Sequence, residues 1–405
     1  MIPDRLITLG TAMPSLSEFC HHQLEAIRKE GLLRKLRLFP RAQEVLSTAS
    51  VRDPIAFSSN DYLGLANHPV VKEAAIKAIR DYGAGSGASR LLSGTLPPHQ
   101  ALESALARFK GTEAALAFVS GYQSAVGTLT TLLSGQDTVI SDRLNHACLI
   151  DGMRLSGAQV RVFEHNDLDH LEMLLKQAAE ERARRCDSSG VILVVTESVF
   201  SMDGDLAPLT EMVDLKHQYG AWLMVDEAHA TGMFGKHRRG RVDQLQLGAQ
   251  VEIQMGTLGK ALGASGGFIC GSAALKELLI NRARTFIFST SPCPGAAAAA
   301  AASLQILTSN QGAERTKRLW QRVRELSEGL RLSPAAVSPI IPLIVGSPEA
   351  ALRSASQLEA EGMLVPAIRY PTVPRDQARL RLTLSSEHTS EQVDQLVRAI
   401  NSLNP

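Results

Sequence analysis

Two segments of this chain combine residue types that structure alone seldom requires. The run WLMVDEAHATG, residues 222–232, is apolar up to Asp226, and His229 follows three residues later. Such a run reads as a strand, and open parallel sheets bind ligands outside the carboxyl ends of their strands. The run MGTLGKALGASGG, residues 255–267, sets Lys260 among glycines and other small residues. A surface lysine needs no such company, whereas small neighbours leave room for a bulky group to reach the ε-amine. A lysine able to form a Schiff base, with a strand-end aspartate to pair with a pyridinium nitrogen, is the minimal protein set for pyridoxal phosphate. The bland alternative, a solvated lysine in a loop, is weakened by Asp226. By its letters, DEAH also matches the acidic motif of nucleotide-driven helicases. That reading needs an upstream GxxxxGK[ST] loop to hold phosphates. Gly259-Lys260 lies downstream and is followed by Ala261, so the helicase reading fails.

Weaker patterns surround these two. SGYQSA, residues 120–125, follows the apolar run AALAFV and turns at Gly121 into a helix start, where free N–H groups and the helix dipole suit a phosphate. YGAGSGASRLLSGT, residues 82–95, imitates GxGxxG but follows a helical stripe rather than a strand. A close backbone approach to a cofactor or to a second subunit is the reading left for it. His146, in DRLNHACLIDG, opens a polar loop after another strand and competes with an ordinary structural histidine. His21, His22, His99, His165 and His217 have no partners at metal-ligand spacing, and HExxH is absent, so no metal is expected.

The elements that must position these residues are legible from periodicity. Apolar, β-branched runs cover Ala114–Val119, Thr138–Ser141, Val160–Phe163, Val191–Thr196, Trp222–Val225, Ile253–Met255 and Gly267–Cys270. Helical stripes lie between several of them. Leu102, Ala105, Leu106 and Phe109 follow Pro97 and Pro98 and stop before Gly111, while Val71 to Tyr82 stop at Gly83. Pro208 opens a third helix that Gly220 ends. Strands alternating with helices predict an α/β fold with a mostly parallel central sheet covered by helices on both faces. Both-face burial explains why VILVV does not alternate. Residues 1–57 read as helix and linker, with a stripe at Leu24, Ile27 and Leu32; 58–295 read as the large cofactor-binding domain. Residues 296–405 read as a smaller C-terminal α+β domain with helices near Ala296–Leu307 and Glu314–Leu330. In it Leu380, Leu382 and Leu384 alternate with Arg379, Arg381 and Thr383 as in a half-exposed strand.

Composition narrows the function. The 405 residues carry 42 Lys+Arg against 41 Asp+Glu, and a net charge of +1 offers no footprint for a duplex or an anionic membrane. At 4% aromatic residues, stacking platforms for single strands are not expected either. Five scattered cysteines (Cys20, Cys148, Cys186, Cys270 and Cys293) form no CxxC pair, which suits a reduced, cytoplasmic setting. The N-terminus does not read as a secretory signal, and no apolar run reaches the ~20 residues of a bilayer span.

Taken together, SSNDYLGL (58–65), GSGASRLLSG (85–94), DRLNHACLIDG (142–152), TESVFSMDGD (196–205), VDEAHATG (225–232), TLGKALG (257–263), FIFSTS (286–291) and IRYPTVP (368–374) resemble the α-oxoamine synthases. These are fold-type I pyridoxal-phosphate enzymes, and the resemblance runs from about residue 20 to the C-terminus. It implies that Lys260 is the Schiff-base lysine, Asp226 the partner of the ring nitrogen, His229 the contact to the phenolic oxygen and His146 the stacked histidine. It further implies cofactor contacts from Tyr122, Gln123, Ser201 and Thr257, with Ser289 and Thr290 reaching the phosphate of the other subunit of a homodimer. The family often has Phe and Ala where Tyr122 and Gln123 stand, but backbone contacts tolerate the change. Arg34, Asn60, His146, Arg369 and Thr372 match substrate-site positions, with Arg369 as clamp for the amino-acid carboxylate. The segment 368–384 most resembles the family member that condenses L-alanine with a pimeloyl thioester, carried by coenzyme A or acyl carrier protein, in biotin biosynthesis. Glycine-using siblings such as glycine C-acetyltransferase or 5-aminolevulinate synthase are the alternative, and a non-catalytic binding protein the remoter one.

Overall fold

Among the described residues twelve strands form where β-branched and apolar runs meet turn residues. In chain order they are β1 (Ile55–Ala56), β2 (Ala114–Phe118), β3 (Thr138–Asp142), β4 (Gln159–Phe163), β5 (Ile192–Glu197), β6 (Trp222–Asp226), β7 (Ile253–Thr257), β8 (Gly267–Gly271), β9 (Ile340–Gly346), β10 (Met363–Leu364), β11 (Ala367–Ile368) and β12 (Ala378–Thr383). This computed structural model describes residues 13–38, 54–185 and 190–403. The first dozen residues, most of the expected linker before Ser58, and Cys186 lie outside the described residues.

Strands β2 to β8 build one sheet in the order β2-β8-β7-β6-β5-β3-β4. Its pairings are parallel except those of β8, which runs antiparallel to both β2 and β7. All seven expected runs are therefore strands of a single sheet. Successive residues of β5 serve opposite cores: Ile192 and Val194 pack with Leu171, Leu175 and Met212, whereas Leu193 and Val195 pack with Leu129, Leu149 and Met153. Helix Leu168–Arg184 covers the first face, and helices Gly121–Leu132 and Ala147–Ser156 cover the second. Each such aliphatic side chain contributes about 1.5–3 kcal/mol by leaving water.

The alanine-rich segment forms helix Pro294–Thr308. Small residues let it lie close to helix Pro69–Tyr82, so close that a Cβ on Gly295 would come within 2.8 Å of Ile79. Its Ala297, Ala300 and Leu304 share one core with Val71, Leu102, Leu380 and Leu396. The C-terminal strands form an antiparallel sheet in the order β11-β12-β9. Here the expectation of a half-exposed strand is corrected: every residue of β12 is buried, with Arg379 at 1% and Arg381 at 5% exposure. Alternation of Arg with Leu mimics a wet face, but these guanidiniums are covered by chain from the first sheet. Arg379 pairs with Asp203 at 2.6 Å, and Arg381 donates from Nε to the Ser201 carbonyl at 2.6 Å. Helix Leu16–Lys29, capped by Ser15, has no buried residue, so Leu24 and Ile27 stay exposed within one chain.

Candidate active site

Parallel strands deliver their carboxyl ends to one edge of the sheet, and Asp226, His229 and Lys260 lie at or just after the ends of two of them. β6 ends at Asp226, whose Oδ1 accepts the Ala228 N–H at 2.8 Å. The tight turn this produces carries His229 back over the strand end. β7 ends at Thr257, and the following loop presents Lys260. Gly263 closes that loop at φ +59°, where a Cβ would lie 2.2 Å from the Ala66 nitrogen, so only glycine fits. Lys260 Nζ lies 2.6 Å from His229 Nε2, and His229 Nδ1 lies 2.6 Å from the Tyr62 hydroxyl. Three elements far apart in sequence thus meet in one line of polar atoms.

Electrostatics lower the proton affinity of Lys260. Burial, with help from the Arg381 charge, pulls its pKa down to about 8 against the opposing pull of Asp226 and Glu197. Burial also drives His229 well below the usual histidine range, reinforced by Lys260 and Arg381. The imidazole is therefore neutral. Burial raises Asp226, countered chiefly by Lys260 and by the Ala228 N–H. Glu197 faces Asp226 across the β5–β6 ladder, and burial plus that neighbouring charge raise it well above the carboxylate range. Two adjacent buried carboxylates do not both ionise readily, so Glu197 takes the proton and Asp226 carries the charge.

The loop after β3 supplies the opposite wall. Asn145 donates from Nδ2 to the Val195 carbonyl at 2.8 Å and to Ser141 Oγ at 2.9 Å, which pins the loop to β5. His146 caps helix Ala147–Ser156 through Nδ1, which accepts the Cys148 N–H at 3.2 Å. Burial lowers its pKa, and the Lys260 charge pulls the same way. A cleft of about 550 Å³ opens beside it, lined by Asn145, His146, Ile150, Ser201, Tyr370 and Thr372. At the outer rim Arg34 donates to Thr372 Oγ1 at 3.4 Å, and Arg369 donates to the Gly31 carbonyl.

The helix after β2 begins at Gly121. Ser120 caps helix Gly121–Leu132 and accepts the Gln123 N–H at 3.1 Å. The remaining first-turn N–H groups have no carbonyl within the helix. Thr257 lies against Gly121: a Cβ there would sit 3.5 Å from the Thr257 side chain. Tyr122 turns outward, its hydroxyl donating to Asp151 at 2.7 Å, so only its backbone faces the helix start. Ser289 and Thr290 lie on a partly exposed loop whose Thr290 bridges to Ser89.

Two residues join the site that the spacing arguments missed. Tyr62 lies within the quoted SSNDYLGL and is fully buried. Arg381 hydrogen-bonds Thr383 Oγ1 at 2.9 Å and reaches Asn60 Oδ1 at 3.4 Å. Among the described residues no carboxylate lies within ion-pair distance of Arg381, and no cationic side chain within that distance of Asp226. A buried guanidinium and a buried carboxylate, neither with an opposite charge within ion-pair distance, fit a ligand that brings an anion and a protonated nitrogen. Among the described residues no group of His, Cys, Asp and Glu could hold a metal, and no helix is long and apolar enough to cross a membrane.

Comparison with known proteins agrees with this geometry. The family model described as aminotransferase class I and II matches residues 52–400. An 8-amino-7-oxononanoate synthase from Geobacter sulfurreducens is 46% identical over 382 residues, spanning 93% of this chain and 96% of its own. One from Symbiobacterium thermophilum is 41% identical over 389 residues, spanning 95% and 97%. Among solved structures, a serine palmitoyltransferase from S. paucimobilis with PLP and myriocin bound is similar at a TM-score of 0.87 and 29% identity, covering 96% of this chain and 98% of that one. An 8-amino-7-oxononanoate synthase from Francisella tularensis is similar at 0.71 and 29% identity, covering 86% and 96%. The chain belongs to the aminotransferase class I and II family of fold-type I enzymes and, within it, to the 8-amino-7-oxononanoate synthases.

Proposed function

We propose that this chain condenses L-alanine with a pimeloyl thioester, releasing carbon dioxide and the thiol carrier, to give 8-amino-7-oxononanoate for biotin biosynthesis. The observation that carries the reading is the line Tyr62–His229–Lys260 beside the unpaired Asp226 carboxylate. Its cofactor is pyridoxal 5′-phosphate, which when bound supplies an electron sink for the bonding pair at the amino-acid α-carbon.

The chain's own groups do the rest. Lys260 anchors the cofactor covalently and, with a pKa near 8, serves as the base that removes and returns the α-proton. Asp226 keeps a proton on the ring nitrogen. His229, neutral and with Nδ1 accepting from Tyr62, offers Nε2–H to an oxygen on the ring. His146 covers the ring face, and the start of helix Gly121–Leu132 with Ser120, Gln123 and Thr257 holds the phosphate. Ser201 borders the same cleft. Arg381, braced by Asn60, receives the amino-acid carboxylate, a role the resemblance gives to Arg369. Arg369, Arg34 and Thr372 at the rim meet the acyl donor.

The same reading makes the enzyme a cytoplasmic homodimer, with Ser289 and Thr290 serving the partner's phosphate site. It divides the chain into 1–57, 58–295 and 296–405, which is supported by the seven-stranded sheet lying within 114–271 and the three-stranded sheet within 340–383. A substrate panel on purified protein tests the reading. L-Alanine with a pimeloyl thioester must give the 8-amino-7-oxo product faster than glycine with any short acyl thioester; preference for glycine would overturn the assignment.

A further inference from the structure

The turn after β4 carries a histidine that none of the chemistry above uses. His165 Nδ1 lies 2.9 Å from Asp142 Oδ1, and Nε2 lies 2.7 Å from Asp205 Oδ2. Ionised carboxylates only accept hydrogen bonds, and a neutral imidazole has a single N–H. Both contacts together therefore call for an imidazolium. Burial by itself would lower the pKa of His165, but the bonds and charges of Asp142 and Asp205 overturn this and push it up to about 10. The ring stands edge-on to Phe200, with centroids 4.3 Å apart. The flanking charges, Arg143 and Glu164, pair with each other at 2.8 Å.

The next residue reinforces the same junction. Asn166 adopts φ +56°, a left-handed conformation that a short polar side chain tolerates. Its backbone N–H donates to Asp142 Oδ2 at 3.0 Å, and its Nδ2 donates to Asp205 Oδ2 at 2.9 Å and to the Leu206 carbonyl at 3.2 Å. Asp142 ends β3 and begins the loop that presents Asn145 and His146. Asp205 ends the loop that carries Ser201 and Asp203, the acceptors for Arg381 and Arg379. β4 is the edge strand, so its trailing turn folds inward across β3 to reach the loop that follows β5.

We propose that His165 is a positioning residue: as a protonated clasp between Asp142 and Asp205 it fixes the His146 loop against the Ser201 loop and so sets the cleft between them. The positioning half of this inference rests on the functional reading of His146 and Ser201 given above; the protonation half does not.

Two measurements on the cofactor-loaded enzyme test it. The first is the ring-nitrogen NMR of histidine-labelled protein, with His165 assigned by its loss in His165→Gln. Both nitrogens protonated at pH 8 is the expected result, and a neutral ring at pH 8 overturns the clasp. The second is the pyridoxal phosphate dissociation constant of His165→Gln, read by absorbance. It should rise by roughly 10–100-fold, the range seen when a partner that orients a metal ligand is removed. Asp205→Asn, which leaves the Asp142 bond in place, should raise it less and keeps the test open where His165→Gln does not fold. Unchanged cofactor affinity in a folded variant, with only its melting temperature lowered, would make His165 merely structural and overturn the positioning claim. If the unmodified protein binds no pyridoxal phosphate, the functional reading fails and the positioning claim falls with it, whereas the protonation result stands.

Discussion

Deleting one oxygen from Tyr62 should change the acidity of Lys260. Burial pushes the Tyr62 phenol up to about 12, so at neutral pH it remains a donor, and its hydroxyl sits 2.6 Å from His229 Nδ1. Nδ1 must then accept, which places the single imidazole proton on Nε2, 2.6 Å from the Lys260 amine. A donor aimed at Lys260 favours the neutral amine and penalises the ammonium. In Tyr62→Phe the proton is free to move to Nδ1, and Nε2 can accept from a charged lysine. That exchanges a neutral hydrogen bond, worth about 1 kcal/mol, for a charged one, worth about 1.5–3 kcal/mol. The difference of roughly 0.5–2 kcal/mol corresponds to a rise of roughly 0.4–1.5 pH units above the value of about 8. The assay is the pH dependence of the reaction of Lys260 with a small carbonyl reagent, after removal of bound cofactor. A midpoint that stays in place or moves down in Tyr62→Phe would refute the relay.

Further outcomes follow from the same geometry. Lys260→Ala should abolish steady-state turnover, and Asp226→Asn should nearly do so; full activity in Lys260→Ala sinks the mechanism. Arg381→Lys keeps the charge but loses the planar fork, so the KM for L-alanine should rise by about 10–150-fold, from the 1.5–3 kcal/mol of a charge-assisted bond. The KM for the thioester should stay nearly constant, and a reversed pattern would move the carboxylate contact to Arg369. For His165 the folded pKa, about 10, lies above the unfolded value near 6.5, so its stabilising contribution is complete below pH 6.5 and is lost as the pH rises through 10. The stability difference between unmodified protein and His165→Gln should shrink over that window in denaturant titrations; a difference independent of pH would contradict the charged clasp.

Much of the scaffold was legible because both-face burial writes itself as unbroken apolar runs. VILVV and WLMV announce strands whose neighbours on each side are also buried. Asp226 and Lys260 were legible because strand ends and glycine-rich loops restrict what chemistry is possible there. Arg381 was not, because alternation with leucine is the signature of a wet strand face. Only the distant loop around Ser201 and Asp203 makes that face an interior. Tyr62 was hidden for a related reason: its role depends on a hydrogen bond to a residue 167 positions away. The helix with its stripe at Leu24 and Ile27 forms as the sequence suggests, and within this chain both residues stay exposed. His165, set aside for lack of metal-ligand spacing, meets carboxylates 23 and 40 residues away, a separation no local pattern reveals.

The most direct test of the central claim is the visible absorption spectrum of the purified protein, titrated separately with L-alanine and with glycine. The account predicts the band of lysine-bound pyridoxal phosphate, perturbed saturably by both and more tightly by L-alanine. No band after added pyridoxal phosphate, or a band that prefers glycine, would contradict it.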